Sequence, residues 1–125
     1  LATPDERVGV WSLYRFGDPA GSEAGYRLCL LRTMKLAVHE IGHMFSIMHC
    51  TVYDCVMNGT NHIAETDSRP LALCPQCLPK LLWATGSQPL ERFRSLEDFC
   101  RKEGFDREAD FFQRSAEALE NGSWK

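Results

Sequence analysis

The chain has 125 residues, of which 44% are hydrophobic and 25% charged, and its formal net charge is −3. These values are typical of one globular domain with a modest core. They exclude a strongly basic protein that binds nucleic acid or anionic membranes, and no apolar run approaches the roughly 20 residues needed to span a bilayer. The chain opens LATPDE without a methionine, which is consistent with a fragment of a longer protein.

The first predicted element is a β-strand in residues 8–16. Two sets of side chains alternate along VGVWSLYRF, and β-forming residues dominate it. The turn signal Gly17-Asp18-Pro19 ends the strand.

A long helix is predicted next, from about Ser22 to about Phe45. Its apolar residues recur at three- and four-residue steps, and we expect them to form a face that packs on a sheet. They are Leu28, Leu31, Met34 (or Lys35), Val38, Ile41 and Phe45.

The end of this helix carries the run HEIGHMFSIMH, residues 39–49. His39 and His43 are four residues apart, and a helix places such residues on one face, about 5–6 Å apart at Cβ. His49 follows where the chain must have turned back, and three imidazole ligands leave a tetrahedral zinc one open position, as in a catalytic site. Glu40 can act on water at that position. A single histidine is more often an ordinary surface or core residue, but three at this spacing favour a metal site.

Four cysteines form a second pattern, C-x4-C followed by C-x2-C, made by Cys50, Cys55, Cys74 and Cys77. Two such pairs can make a closed structural zinc site. The alternative is two disulfides or four free thiols. Because a C-x2-C disulfide is strained and mostly redox-active, zinc is favoured, and it predicts a reducing compartment, the cytoplasm. Cys29 and Cys100 are left over, and we expect buried, inert thiols there.

Between the cysteine pairs, Asn58-Gly59 indicates a tight turn. Met57 could pack beneath the metal site, although a lone methionine is usually core filler. His62 lies in a polar stretch, and we expect it to be exposed to solvent rather than to bind metal.

The remainder is predicted to be helical. A short helix covers residues 77–85, and residues 89–122 form an αα-hairpin. Pro89 opens the first helix of the hairpin, which stops at Gly104, and Asp106 can cap the second.

The run from His39 to Leu81 resembles the archaemetzincins, a branch of the metzincin zinc peptidases. Their pattern is H-E-x-x-H-x-x-G-x-x-H-C, then C-x-M, then C-P-x-C and a Lys-Leu pair. The sequence carries HEIGHMFSIMHC, CVM, CPQC and Lys80-Leu81 in register, with Glu65 before Pro70. The strand and the helix are also similar, so the resemblance covers Val8 to about Gly86.

The resemblance implies an α+β zincin-like (metzincin) domain with two zinc ions. It implies a catalytic zinc on His39, His43 and His49, with Glu40 as general base. It also implies Met57 as the Met-turn residue and a structural zinc on Cys50, Cys55, Cys74 and Cys77.

The sequence departs from the family pattern in two respects. Ser46 replaces the usual glycine, at a position where a left-handed conformation costs a serine about 1–2 kcal/mol. In addition, only one clear strand precedes the helix, so we expect the N-terminal sheet of the family to be incomplete.

We interpret residues 1–125 as a single, monomeric catalytic domain that hydrolyses peptide bonds. Residues 8–46 hold the strand and the active-site helix, residues 47–88 the third histidine, the Met-turn and the cysteine site, and residues 89–122 the hairpin. The alternative is a two-zinc structural or peptide-binding module with little or no turnover. A zinc-ribbon that contacts nucleic acid is disfavoured by the net negative charge. Substrate and cleavage specificity do not follow from the sequence.

Overall fold

The computed structural model describes residues 2–3 and 8–122. The chain divides into two compact units, Leu1–Ala84 and Thr85–Lys125. A single catalytic domain over the whole chain stays a prediction. The described elements are β1 (Ala2–Thr3), β2 (Val8–Gly9), α1 (Glu23–Met44), α2 (Ile63–Ser68), α3 (Cys77–Thr85), α4 (Pro89–Lys102) and α5 (Asp106–Glu120). None of the helices in these described ranges is long and apolar enough to cross a bilayer.

The predicted strand over residues 8–16 is wrong in its length. Only Val8–Gly9 is a strand, paired antiparallel with Ala2–Thr3. A strand needs a partner for its backbone N–H and C=O groups, and the described part of the chain offers one partner strand of two residues. Residues 10–16 are therefore loop, and Val10 and Tyr14 are 73% and 91% exposed. The described residues are mostly helical and compatible with part of a zincin-like domain.

Helix α1 begins and ends close to the predicted residues. Its N-cap is Ser22, whose hydroxyl accepts a hydrogen bond from the backbone N–H of Gly25 at 2.9 Å. Glu23 lies in the first turn, where the helix dipole favours a negative charge. Phe45 is the C-cap.

The apolar face predicted for α1 is not the face that is buried. The buried residues of α1 are Cys29, Lys35, His39 and Gly42, whereas Leu28 and Ile41 are 43% and 39% exposed. The reason is that the described strands are too short to cover the predicted face. The buried face instead packs against residues 56–67, where the Lys35 ammonium donates to the carbonyl groups of Thr66 and Asp67.

Helix α2 does not follow from the sequence, which predicted a polar loop for this stretch. An ion pair fixes it to α1, because the Arg32 guanidinium donates two hydrogen bonds, of 2.8 and 2.6 Å, to the carboxylate of Asp67. Arg69 directly follows the helix as its C-cap residue. Helix α3 covers the predicted residues 77–85.

The second unit is the predicted helical hairpin. Helix α4 begins with Pro89 and α5 ends at Glu120. Gly104, with φ of 79°, makes the left-handed turn between them, and Asp106 is the first residue of α5 rather than its cap. The aromatic rings of Phe93 and Phe112 pack between the helices, 6.4 Å apart.

Candidate metal centres

The turn after α1 brings His49 back toward the helix. Ser46 adopts the predicted left-handed conformation, with φ of 65°. The N–H of Ile47 bonds to the carbonyl of Gly42 and the N–H of Ser46 to that of His43, which is a Schellman motif. The backbone of this turn therefore satisfies the last carbonyl groups of the helix and reverses the chain.

The three predicted histidines converge. The Nε2 atom of His39 lies 3.0 Å from that of His43 and 3.3 Å from that of His49. The Nδ1 atoms of His39 and His43 each lie 2.8 Å from a backbone carbonyl oxygen, of Val56 and Ile47 respectively. If each Nδ1–H donates to its carbonyl, the Nε2 lone pairs face one another, which is unfavourable unless a cation lies between them.

These distances fit zinc. Ligands at the Zn–N distance of about 2.0–2.1 Å in a tetrahedron lie about 3.3–3.4 Å apart. The two Nε2–Nε2 separations in the structure, 3.0 and 3.3 Å, are close to this ligand–ligand distance. The carbonyl groups of Val56 and Ile47 act as the outer partners that orient metal-binding imidazoles.

The environment of His39 favours its neutral form. Burial lowers the pKa of His39, the Val56 carbonyl opposes that shift, and the positive charge of Arg69 adds to it. Because a neutral imidazole binds metal and an imidazolium does not, the lowered pKa keeps His39 available as a ligand.

A cavity of about 450 Å³ lies over this cluster. Glu40, half-buried, lines it beside His39 and His49. The loop of residues 12–16 forms another part of its wall, where the strand was expected, and the Arg32 guanidinium holds that loop through the carbonyl of Phe16. A ligand in this cavity can therefore contact His39, His49 and Glu40 together.

The four predicted cysteines form a second, buried cluster, with all sulfur atoms within 4.8 Å of one another. All six cysteines of the chain are free thiols. The Sγ atoms of Cys50 and Cys74 are 3.7 Å apart, far beyond the disulfide length of about 2.05 Å. A tetrahedral zinc with Zn–S bonds of about 2.3 Å separates its sulfurs by about 3.8 Å. The cluster therefore fits zinc.

Backbone N–H groups point at these sulfurs. Cys55 Sγ accepts from the N–H groups of Met57 and Cys74, and Cys74 Sγ accepts from that of Cys77. Burial raises the pKa of the Cys50 thiol, but hydrogen bonds with the backbone of Tyr53 and Val52 and with Cys74 and Cys77 together lower it to about 7.

Burial raises the pKa of both Cys55 and Cys77, and neighbouring thiols add to the rise. The Cys50 thiol thus ionises readily. The Cys55 and Cys77 thiols resist ionisation, because they are buried and because neighbouring thiolates repel one another. A divalent cation removes that repulsion and releases the protons.

The sequence is also similar to that of known proteins. The model of Peptidase family M54 matches residues 21–82, which include the three histidines and four cysteines of the two clusters. The human protein Archaemetzincin-2 is 47% identical over 77 residues, covering 62% of this chain and 21% of that protein. Over residues 21–82, about half of its length, the chain matches the archaemetzincin family.

Archaeal members are also similar. Archaemetzincin of Pyrococcus abyssi is 40% identical over 82 residues, covering 65% of this chain and 44% of the relative, and that of Thermococcus kodakarensis is 36% identical over 87 residues, covering 66% and 45%. The chain thus spans between a fifth and somewhat less than half of these archaemetzincins. No solved structure matches it.

Met57, the expected Met-turn residue, is fully buried. Its thioether packs on Gly42, between the two helical histidines: a Cβ atom at Gly42 would overlap the sulfur and lie 2.9 Å from the methyl carbon. Its role as a Met-turn residue stays a prediction, as do the ligand roles and the role of Glu40.

The remaining predicted positions are outside the two clusters. His62 is exposed and its Nε2 atom lies 2.9 Å from a carboxylate oxygen of Glu65. Cys29 and Cys100 are buried, as expected, and burial raises the pKa of Cys100 to about 11.

Three further residues support the site, and sequence reasoning missed them. Gly42 makes room for Met57, and Gly59 lies so close to His49 that a Cβ atom would be 3.1 Å from its Nδ1. Arg69 is 7% exposed, and its Nη1 atom lies 3.2 Å from Nδ1 of His39. The glycines could have been noticed as small residues beside ligand positions, but nothing in the sequence marks Arg69.

Proposed function

We propose that this chain is the zinc-binding part of an archaemetzincin-type metallopeptidase, with an α+β zincin-like fold and two zinc ions. The observation that carries the proposal is the convergence of three imidazole Nε2 atoms, with His39 and His49 lining the same cavity as Glu40. His39, His43 and His49 would hold the catalytic zinc and leave one coordination position for water or substrate. The four cysteines would hold a structural zinc.

Bound zinc supplies Lewis acidity, which makes water nucleophilic at neutral pH and polarises a carbonyl group. In this proposal Glu40 accepts a proton at its carboxylate from the attacking water and delivers it to the leaving amine. Its position next to His39 in the sequence places it at the same cavity, and it is not needed as a ligand. The substrate is accordingly a peptide or protein segment bound over the histidines.

Met57 has a supporting role in this proposal. Its thioether fills the space beneath the helical histidines and keeps helix α1 in contact with the loop that bears Cys50 and Cys55. We also propose that the chain acts as a monomer in a reducing compartment, the cytoplasm. None of its six cysteines forms a disulfide, and zinc-binding and free cysteines both persist in such a compartment.

The experiment is Glu40→Gln, with Glu23→Gln as the matched control at the exposed first turn of the same helix. Glu40→Gln should keep both zinc ions and the fold and lose about 10²–10⁴-fold in peptide hydrolysis, the range typical of general acid–base groups. Glu23→Gln should retain full activity, because its carboxylate only meets Arg27 on the surface. Activity that survives Glu40→Gln would contradict the mechanism.

A second candidate is a two-zinc peptide-binding module with little turnover. The observation that favours it is the loop at residues 12–16, because a strand there could pair with an extended substrate whereas a loop offers fewer aligned backbone groups. Peptide binding without cleavage by the zinc-loaded protein with Glu40 intact would favour this candidate.

A further inference from the structure

The side chain of Arg69 is an unusual feature of the region between the two clusters. It is 7% exposed, and burial lowers the pKa of its guanidinium, opposed by attraction to Cys55 and Glu40. Its Nε atom is buried without a hydrogen-bond partner in the part of the chain that the structure describes. Burying a cation costs free energy unless its charge is compensated. We therefore looked for what the buried guanidinium of Arg69 holds in place.

The guanidinium holds one particular turn. Arg69 Nη1 donates a 2.6 Å hydrogen bond to the carbonyl oxygen of Asn58 and lies 3.2 Å from His39 Nδ1. If His39 Nδ1 carries its hydrogen toward Val56, the arginine and the histidine are both donors and cannot bond to each other. They bind instead to neighbouring carbonyl groups of the same turn, those of Val56 and Asn58.

That turn is part of the cysteine site. Cys55, Val56 and Met57 are all fully buried, and the N–H of Val56 bonds to the carbonyl of Ala72. The side chain of Asn58 closes the loop, since it accepts from the N–H of Cys55 and donates to the carbonyl groups of Cys50 and Tyr53. The position of the Val56 carbonyl, which orients His39, therefore depends on the loop that bears two of the four cysteines.

We propose that Arg69 is a positioning residue that couples the two candidate metal centres, so that an ion on the four cysteines raises the affinity of the three histidines for a second ion. An ion on Cys50 and Cys55 fixes the loop, and the hydrogen bond from Arg69 holds its end at Asn58. The Val56 carbonyl then keeps His39 in the orientation that binds metal. The thiolate charge of the cysteine site in turn compensates the buried guanidinium. This inference rests on the two zinc sites of the proposed function, but not on turnover.

The coupling is measured on the whole chain with metal ions alone. The cysteine site is loaded with Zn²⁺, and the histidine site is titrated with Co²⁺ through its visible absorption, in competition with a chelator. Arg69→Met should bind Co²⁺ about 10-fold more weakly, the lower end of the usual loss when an outer-shell partner of a metal ligand is removed, because Arg69 acts on His39 only through the Val56–Asn58 turn. Zinc at the cysteines should remain stoichiometric. Arg69→Lys should recover part of the loss, because an ammonium keeps the charge and one donor to Asn58.

Arg32→Met is the matched control. It removes an arginine that joins α1 to Asp67 but does not reach the Val56–Asn58 turn, so it should change Co²⁺ affinity little. Equal losses in Arg32→Met and Arg69→Met would indicate general loosening and overturn the proposal, as would an Arg69→Met variant with wild-type affinity.

Coupling is also reciprocal. In the wild type, filling the histidine site should slow removal of zinc from the cysteines by a thiol reagent, and Arg69→Met should reduce this protection. No protection in the wild type would overturn the proposal without bearing on peptide hydrolysis. If Arg69→Met does not fold, Arg69→Lys and Asn58→Ala, each expected to weaken Co²⁺ binding, provide the same comparison.

Discussion

The thioether of Met57 lies directly against the backbone of Gly42, in the helical turn between His39 and His43. Met57 is completely buried. The contact joins the helix that bears two candidate ligands to the loop that bears two cysteines. Glycine at this position is therefore explained by close packing and not by backbone conformation.

This contact predicts the effect of Gly42→Ala. Alanine gains about 1 kcal/mol over glycine in a helix, but forcing a methyl group into a filled core typically costs about 1–3 kcal/mol. We expect net destabilisation, measured by denaturant unfolding of the zinc-loaded chain. In a Met57→Ala background the methyl group has space, so there Gly42→Ala should be neutral or stabilising. A similar loss in both backgrounds would contradict the packing argument.

The left-handed Ser46 predicts a stabilising substitution. Its φ of 65° strains any residue that has a Cβ atom, and the residue is exposed. Ser46→Gly should raise the free energy of unfolding, or zinc affinity at the histidines, by up to about 1 kcal/mol, less the extra chain entropy that glycine loses on folding. Ser46→Ala keeps the Cβ atom and should gain nothing. Stabilisation by alanine equal to that by glycine would show that the serine hydroxyl, not the backbone, is unfavourable.

The ion pair between Arg32 and Asp67 predicts a pH-dependent contribution to stability. The hydrogen bonds from Arg32 lower the pKa of Asp67. A lowered pKa in the folded state stabilises the fold above the unfolded pKa of about 3.9. That stabilisation is lost as pH falls through the lower folded value.

Asp67→Asn should therefore reduce stability at neutral pH. The side chain of Asp67 is 38% exposed, so solvent screening limits the effect to under about 1 kcal/mol. The difference from wild type should shrink in acid, and it should be absent at neutral pH when Arg32 is already methionine. A difference that is constant with pH would show that the carboxylate charge is not involved.

The two clusters predict different consequences of ligand loss. Cys74→Ser should lower the melting temperature strongly, because zinc bound in a closed site contributes folding free energy and a three-thiol site loses it. His49→Ala should lose zinc from the open site and keep most of the fold, since His49 is exposed at the edge of its cluster. Thermal unfolding followed by circular dichroism, with zinc content measured in parallel, compares them. If both variants melt like the wild type, the cysteines do not form a structural metal site.

Local features were predictable from the sequence. The end of α1, the left-handed Ser46 and the bounds of α3 depend on short-range capping and turn chemistry. The meeting of His39 and His43 follows from helix geometry alone, and the return of His49 from the turn at Ser46. For these residues the residue types and spacing carry the information.

Tertiary features were not predictable. The stretch of residues 10–16 has a strand pattern but finds no partner strand among the described residues, so pattern and structure disagree there. The buried face of α1 includes Lys35 and His39, which have partners on distant segments. Arg69 is buried because of a turn contributed by residues 56–58, and no periodicity records such a contact.

The central claim is that the chain holds two chemically different zinc ions, one on three histidines and one on four cysteines. Zinc K-edge X-ray absorption of the fully loaded, reduced protein identifies the neighbouring atoms of zinc directly. Equal occupancy predicts an average shell of about two sulfur atoms at about 2.3 Å and about two nitrogen or oxygen atoms at about 2.0 Å per zinc. A shell of sulfur alone, or of nitrogen and oxygen alone, would contradict the claim.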